Sequence, residues 1–584
     1  MKSTRKNSQV RILFVLIVLS SMTFAITTAS SQDWPQWGRN SQHTGSINVA
    51  GDNPKKIVDT LIYDPFVEQE KADPDGEGSL QVHYQAALVD GDDVFMSAKT
   101  GEYTSLFSWE TQIWNERKFT WKNGELVQKW SFESDWKPVP NFDGVLFFEP
   151  VFHAALSGNF IYVPGAGGTV FKLRKSDGHL ISRFNPFNNG QSIVDNIFLI
   201  SPISVDSDGN IYYTAMRMRR NDPWFSDPVN SWLIKIKPNG NIIKKKITDL
   251  VIGATPANAD CEVGFIPNGE PMPPAPDAIP ETFRCGTVRP AINAAPAIGP
   301  DGTVVIVARN HVVSRYGYIV ALNPNLTPKW TSSTRHVLND GCNVTIPLNG
   351  TPGGCRVGTT TGVDPETNTL PSGRINDNST SSPVIAPDGS VIYGAQTRYN
   401  YAQGHLLRYS STGQFLNSYA YGWDVTPAIY QHHGTYSIIT KENRYNTGSY
   451  CADPAVCPPD RNATTPGDPE AYFITQLSPN MTVEWQYKNT NTLTCTRNPN
   501  NTVSCVDDKP FSFEWCVNGV AVDKNGVVYA NAEDGNLYAI NQGGTLRRRL
   551  FLDIAQRSAY TPTSLGLDGK IYAQQNGILF VVSR

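Results

Sequence analysis

The apolar positions of this chain fall in short runs, not in the long stripes of amphipathic helices. One unit returns: a strand of small residues rich in Ala, Ser and Pro, a turn on Asp-Gly or its equivalent, and a strand of Val, Ile and Tyr. It reads SPISVDSDGNIYYTA from Ser201, APAIGPDGTVVIVA from Ala295, SPVIAPDGSVIYGA from Ser382, VNGVAVDKNGVVYANA from Val517 and TPTSLGLDGKIYAQ from Thr561. Weaker copies begin at Gln85, His153 and Thr426, which makes eight. The Asp-Gly pairs supply the positive-φ residues of two-residue hairpins. Small first strands suit a place where many strands converge on one axis. β-Branched second strands suit face-to-face packing between neighbours.

A second hairpin follows most copies, as in SWLIKIKPNGNIIKK and GNLYAINQGGTLRRRL. Two hairpins make a four-stranded blade of about 40 residues. The pattern therefore predicts an all-β fold: an eight-bladed β-propeller of four-stranded antiparallel blades. The last copy ends at Arg584 after a third strand, so the segment Lys56 to Tyr63 is expected to supply the fourth and close the ring. A β-sandwich array does not account for one pattern that covers most of the chain.

The chain has 584 residues and a formal net charge of −4, which gives no global electrostatic case for nucleic acid or an acidic membrane surface. Lys2, Arg5, Lys6 and Arg11 precede the apolar run Ile12 to Leu19, and small residues follow to Ser31. This is the pattern of a signal peptide, residues 1–31, cleaved after Ala25 or Ala29. The apolar run falls short of the roughly 20 residues that span a bilayer. Residues 32–584 read as one propeller domain with loop insertions near 252–290, 338–376, 441–470 and 491–512. The expected location is secreted or periplasmic, with no membrane span.

Cysteine usage agrees with export. Nearest-neighbour pairing gives Cys261–Cys285, Cys342–Cys355, Cys451–Cys457 and Cys495–Cys505, although spacing does not prove connectivity. No CxxC or His spacing points to zinc at these pairs. Cys516 is left over and reads as a small buried hydrophobe, because no cation or base adjoins it in sequence.

The segment after residue 32 reads Asp33-Trp34-Pro35-Gln36-Trp37-Gly38-Arg39-Asn40, then His43-Thr44-Gly45. It resembles the opening of pyrroloquinoline-quinone (PQQ)-like propeller repeat proteins. GYIVALNPNLTPKW, ending at Trp330, resembles their tryptophan-docking repeat, and Trp130 and Trp485 stand at comparable places. The resemblance implies the fold and leaves function open. Dehydrogenases of that fold carry an adjacent Cys-Cys pair over the quinone and a Glu/Asn/Asp set for calcium. This chain has no adjacent cysteines and no CxxCH. It is more similar to the branch without quinone, which includes an outer-membrane assembly scaffold, and no cofactor is expected.

Propeller geometry puts the loops between blades on the same face as those between strands two and three, so all four cysteine pairs are expected on one face. Basic and aromatic residues at the ends of second strands join them there: Lys99, Arg217, Arg219, Trp224, Arg309, His311, Arg398, Tyr399, Tyr401, Lys441, Arg444 and Tyr445. Arginine binds anions bidentately, and aromatic rings stack on sugars or planar ligands. A solvated loop rim is the competing reading of the same residues. The chain thus reads as an exported, non-catalytic binding or scaffold module for an anionic glycan, a small ligand or an envelope protein. The alternative is a quinoprotein alcohol or sugar dehydrogenase with a divergent site, holding PQQ and calcium.

Overall fold

The computed structural model describes residue 1 and residues 33–584, apart from 142–144, 189–191, 222–223, 266–274, 276, 340, 343, 345–356, 398–403, 422, 445–469, 499, 501 and 556–559. The expectations for the signal peptide, Arg398, Tyr399, Tyr401, Tyr445, Cys355, Cys451 and Cys457 fall outside the described residues. Residues from Gln32 onward form one compact unit.

Eight antiparallel blades follow one another in the register that the repeat implies. Their second strands are Asp93–Gly101, Phe160–Gly165, Ile211–Arg217, Val304–Asn310, Val391–Gln396, Thr435–Arg444, Val528–Asn531 and Ile571–Gln575, here blades 1 to 8. The predicted propeller is borne out, including its closure. Lys56–Ile62 pairs antiparallel with Ile578–Ser583 and becomes the outermost strand of blade 8.

Residues 33–47 form a belt around the axis. The first strand of each blade has an inner edge with no sheet neighbour, and its buried backbone groups need partners. The belt supplies one to every blade in turn. Trp34 O accepts from Val89 N (3.1 Å), Pro35 O from Leu156 N (2.8 Å) and Gln36 Oε1 from Val205 N (2.7 Å). Ser41 O accepts from Ile298 N (2.6 Å), Gln42 O from Ile385 N (3.0 Å) and Thr44 O from Ile429 N (2.7 Å). Gly45 O takes Val522 N (2.9 Å), and the Asp33 carboxylate takes Leu567 N in blade 8 (2.8 Å). The Trp-Pro-Gln motif thus belongs to the segment, Asp33 to Gly45, that satisfies the propeller's inner edge.

The docking tryptophans also take their expected places between blades. Trp130 Nε1 donates to Lys175 O in blade 2 (2.9 Å) and Trp330 Nε1 to Ser411 O in blade 5 (2.8 Å). Each ring lies against a turn glycine of the next blade: Trp130 on Gly178, Trp330 on Gly413 and Trp485 on Gly544.

Two of the expected disulfides lie among the described residues. Cys261–Cys285 joins a hairpin of Asp260–Gly264 with Glu281–Arg284 between blades 3 and 4. Cys495–Cys505 joins Leu493–Arg497 with Val503–Asp507 between blades 6 and 7. Both connect a blade's outer strand to the next blade's inner strand, so they share one face. Among the described residues no helix is long and apolar enough to cross a membrane.

Some elements were not legible in the pattern. Helix Val67–Ala72 sits in the crossing from blade 8 to blade 1. Val517–Gly519 pairs in parallel with Thr561–Pro562, joining blades 7 and 8 near the axis. These elements are too short for periodicity to reveal.

The first-hairpin glycines Gly302, Gly389 and Gly526 have φ of 77°, 78° and 74°. A Cβ on Gly526 falls 2.6 Å from the Tyr430 ring, and one on Gly302 falls 2.9 Å from Pro324. Each Gly→Ala change should cost about 1 kcal/mol or more, since alanine disfavours that backbone region. Thermal melts check this, and unchanged melting in all three variants would contradict the turn assignment.

Candidate axial site

The end of the axis where the blade-joining loops gather forms a mouth. The residues just ahead of each first strand converge there: His83 for blade 1, Phe148 for blade 2, Thr380 for blade 5, Asp424 for blade 6, Cys516 for blade 7 and Tyr560 for blade 8. Across the axis His83 Nε2 lies 3.0 Å from Asp424 Oδ2, and both side chains are fully buried. Asp424 Oδ1 also accepts from Ser379 Oγ (3.0 Å), Thr380 N (2.7 Å) and Thr380 Oγ1 (2.9 Å). Burial alone pushes a carboxyl pKa up, but His83, Lys441 and the Thr380 N–H together hold Asp424 below its ordinary value. The other His83 nitrogen, Nδ1, is buried without a hydrogen-bond partner among the described residues.

Aromatic rings flank this pair. Phe148 stacks on His83 at 4.6 Å between centroids, and Tyr560 lies 5.9 Å from both rings. Lys441 Nζ sits 4.1 Å over the Tyr560 ring. Its side chain is fully buried and its ammonium has no hydrogen-bond partner among the described residues. Burial lowers the Lys441 pKa, against the opposing pull of Asp424, Cys516, Glu514 and Glu533. Lys441 and Asn443 share one face of their strand. Asn443 Nδ2 reaches Glu514 Oε2 at 3.3 Å and Trp515 O at 3.1 Å, so that face looks onto the segment carrying Cys516.

Cys516 Sγ lies 3.2 Å from Glu533 Oε1 and 3.9 Å from Glu514 Oε1. Burial, then the two carboxylates, push the thiol pKa well up. Cys516 is a buried free thiol, as expected; its neighbours were not legible in sequence, because Glu533 comes from the next hairpin and Lys441 from another blade. Phe148, Tyr560, Glu514 and Glu533 are half-exposed. They form the rim, while His83, Asp424, Lys441 and Cys516 form the floor.

Most of the other basic residues expected on this face are committed to internal partners. Lys99 Nζ bonds Glu149 Oε2 (2.8 Å) and Asp64 Oδ2 (3.2 Å). Arg309 Nη1 meets Asp377 Oδ2 at 3.1 Å, and the same carboxylate takes Arg289 at 2.5 and 2.9 Å. Arg289 Nε donates to His311 Nδ1 (2.8 Å), which leaves Nε2–H to donate to Trp224 O (2.9 Å). Burial, with Arg289 and Arg309 nearby, pulls His311 down to about 3, so it is neutral here. The Trp224 ring lies parallel to His311 at 6.2 Å. Arg444 Nε pairs with Glu442 at 2.9 Å. Arg217 Nε donates to Asn196 Oδ1 (3.3 Å), and Arg219 is exposed with Nε on Asp227 O (3.2 Å). Among the described residues of that set, Lys441 at the axis is buried with no hydrogen-bond partner for its ammonium.

His83, Phe148, Asp424, Glu514 and Tyr560 were missed because each comes from a different blade-joining segment, and Glu533 because it lies in the turn between the second and third strands of blade 7. A signal was present in the register, since all except Glu514 and Glu533 stand just ahead of a repeat's small-residue strand.

No protein-family model and no curated protein matches the chain. Among solved structures it is similar to a europium-containing methanol dehydrogenase (11% identity, 93% of this chain and 89% of that one, TM-score 0.48). It is also similar to quinohemoprotein alcohol dehydrogenase from Comamonas testosteroni (10%, 95% and 81%, 0.48) and to BamB from Moraxella catarrhalis (12%, 86% and 97%, 0.38). No ligand or activity follows from likeness at this level.

Proposed function

We propose that this chain is an exported binding propeller that takes an anionic saccharide at the axial mouth. The observation that carries the reading is the Lys441 ammonium, buried at the floor with no hydrogen-bond partner among the described residues. A buried ammonium without a partner is costly, and a ligand carboxylate or sulfate group offsets that cost. The half-exposed rings of Tyr560 and Phe148 supply stacking surfaces for a sugar face. Glu514 and Glu533 on the rim accept hydrogen bonds from hydroxyl groups.

PQQ with calcium fits this mouth poorly. Calcium takes oxygen ligands, whereas Glu514 and Glu533 bracket a thiol. The reading therefore includes no redox step.

Calorimetric titration with uronic-acid and sulfated oligosaccharides tests the proposal. Binding should weaken with salt. Lys441→Met should cost about 2 kcal/mol, roughly thirtyfold in affinity, by removing a charge-assisted hydrogen bond. Tyr560→Ala should cost about 1 kcal/mol in lost stacking. Equal affinity in wild type and Lys441→Met, or binding of neutral and acidic sugars alike, would overturn it.

A further inference from the structure

Beside the floor of the mouth, three carboxyl groups share one ammonium. Lys99 Nζ donates to Glu149 Oε2 (2.8 Å) and meets Asp64 Oδ2 at 3.2 Å. Asp64 also accepts from Phe66 N (3.0 Å) and from the Tyr84 hydroxyl (2.9 Å). Glu70, on helix Val67–Ala72, accepts from Gln81 N. Lys99, Asp64, Glu70 and Glu149 are all buried. Two of these bonds hold pieces of the mouth. Gln81 lies two residues ahead of His83, and Glu149 directly follows Phe148. The two segments are also joined to each other, since Glu149 N donates to Gln81 O (2.7 Å). The cluster thus ties the helix and blade 1 to the two rings that stack at the mouth.

We propose that this cluster is a proton-operated latch on the mouth, which holds the His83 and Phe148 segments in place while Glu70 and Glu149 carry protons and releases them when both ionise. One ammonium cannot balance three carboxylates, and buried charge without a partner is strongly unfavourable. Burial pushes the Glu70 carboxyl up to about 8, against the pull of Lys99 and helped by Asp64 and Glu149. Burial likewise pushes the Glu149 carboxyl up to about 7, again against Lys99. The other ionisable groups on the packed elements are Tyr63, His83, Tyr84 and Glu116. Burial pushes Tyr63, Tyr84 and Glu116 well up, and His83 is turned to Asp424. Lys71, next to Glu70 on the helix, turns away to Asn576 Oδ1 (2.9 Å). In an open form both glutamates return to their ordinary value, near 4.3. The closed form keeps protons that the open form has lost, so closure is strongest in acid and is lost as pH rises through 7 and 8. The effect of the latch on a ligand rests on the saccharide reading, while the latch itself operates without one.

The test is amide hydrogen exchange of the ligand-free full chain from about pH 6 to about pH 9, corrected for the intrinsic rate. Peptides covering residues 79–85 and 146–153 should lose protection at least about tenfold over this range, while the second strand of blade 5, Val391–Gln396, keeps its protection. The double variant Glu70→Gln/Glu149→Gln should stay protected at the alkaline end, because glutamine accepts the same hydrogen bonds and does not ionise. If the double variant fails to fold by circular dichroism, Glu149→Gln alone decides, and its loss of protection should be at least about threefold smaller than that of the wild type. Equal protection of the wild type at both ends of the range, a matching loss in blade 5, or an undiminished loss in a folded variant would overturn the proposal. Exchange is read without ligand, so a chain that shows the expected exchange and binds no acidic saccharide fails the binding reading and leaves the latch standing.

Discussion

A chain lacking Lys56–Ile62 should be expressed and then aggregate, without a cooperative melt. The segment is the outer strand of blade 8, paired from Lys56 opposite Ser583 to Ile62 opposite Ile578. Its loss uncovers an unpaired edge and exposes Leu579 and Phe580, both buried in the closed ring. It also breaks a mechanical link. The belt is held upstream at Asp52, whose N–H bonds Gly569 O (2.8 Å), and the chain is held downstream at Tyr63, whose N–H bonds Gly577 O (2.9 Å). A strand of this length spans about 23 Å at 3.3 Å per residue, so the deletion pulls one anchor loose. Asp59 adds a bridge to blade 1 by accepting from Leu126 N (2.5 Å). The combined loss is comparable to the whole stability of a domain, about 5–15 kcal/mol. Size-exclusion chromatography and thermal melts read the outcome. A monomer with the parent melting temperature would show that the closure carries no such load.

Asp377→Ala should be the most damaging single substitution among those considered, at about 3–5 kcal/mol, because it strands two buried guanidinium groups. Asp377 accepts from Arg289 and Arg309 and also takes the Ile292 N–H at 3.2 Å, so it ties blades 4 and 5 together. Arg289 is 1% exposed, which leaves water no access to replace the lost partner. The pH dependence has a definite sign. Burial pushes the Asp377 carboxyl up, but Arg289 and Arg309 outweigh it and hold the group well below its ordinary value. A carboxylate with a depressed folded-state pKa stabilises fully above its unfolded value, near 4, and loses that contribution as pH falls below it. Chemical denaturation from pH 7 to pH 2 should show the wild type losing this increment and Asp377→Ala lacking it throughout. Parallel pH profiles for the two proteins would refute the assignment, as would a loss below about 1 kcal/mol at pH 7.

The same clamp shows why residue type alone misjudged the rim. Arg309 and His311 were expected to face a ligand, because they end a second strand on the loop-bearing face. Register places them correctly. What they touch depends on Arg289 and Asp377, which arrive from segments before and after the blade. Lys99 is likewise committed, to a carboxylate ahead of blade 2 and another beyond blade 8. A lone basic residue in a sequence carries no record of its counter-charge, so free and spent cations look alike.

The sequence by itself determined the blade count, the strand register, the closing strand, the docking tryptophans and the face that carries the stapled hairpins. These follow from local chemistry: alternation at period two, turn glycines at positive φ, and small residues where strands crowd. Only the tertiary structure decided the rest. The Asp33–Gly45 stretch became a belt because eight inner edges each needed a partner, a demand no single segment displays. His83 meets Asp424 from 341 positions away. Cys516 gains a carboxylate from its own blade and a lysine from the one before. Convergence on a central axis juxtaposes such residues whatever their separation along the chain, and only the closed ring sets which of them meet.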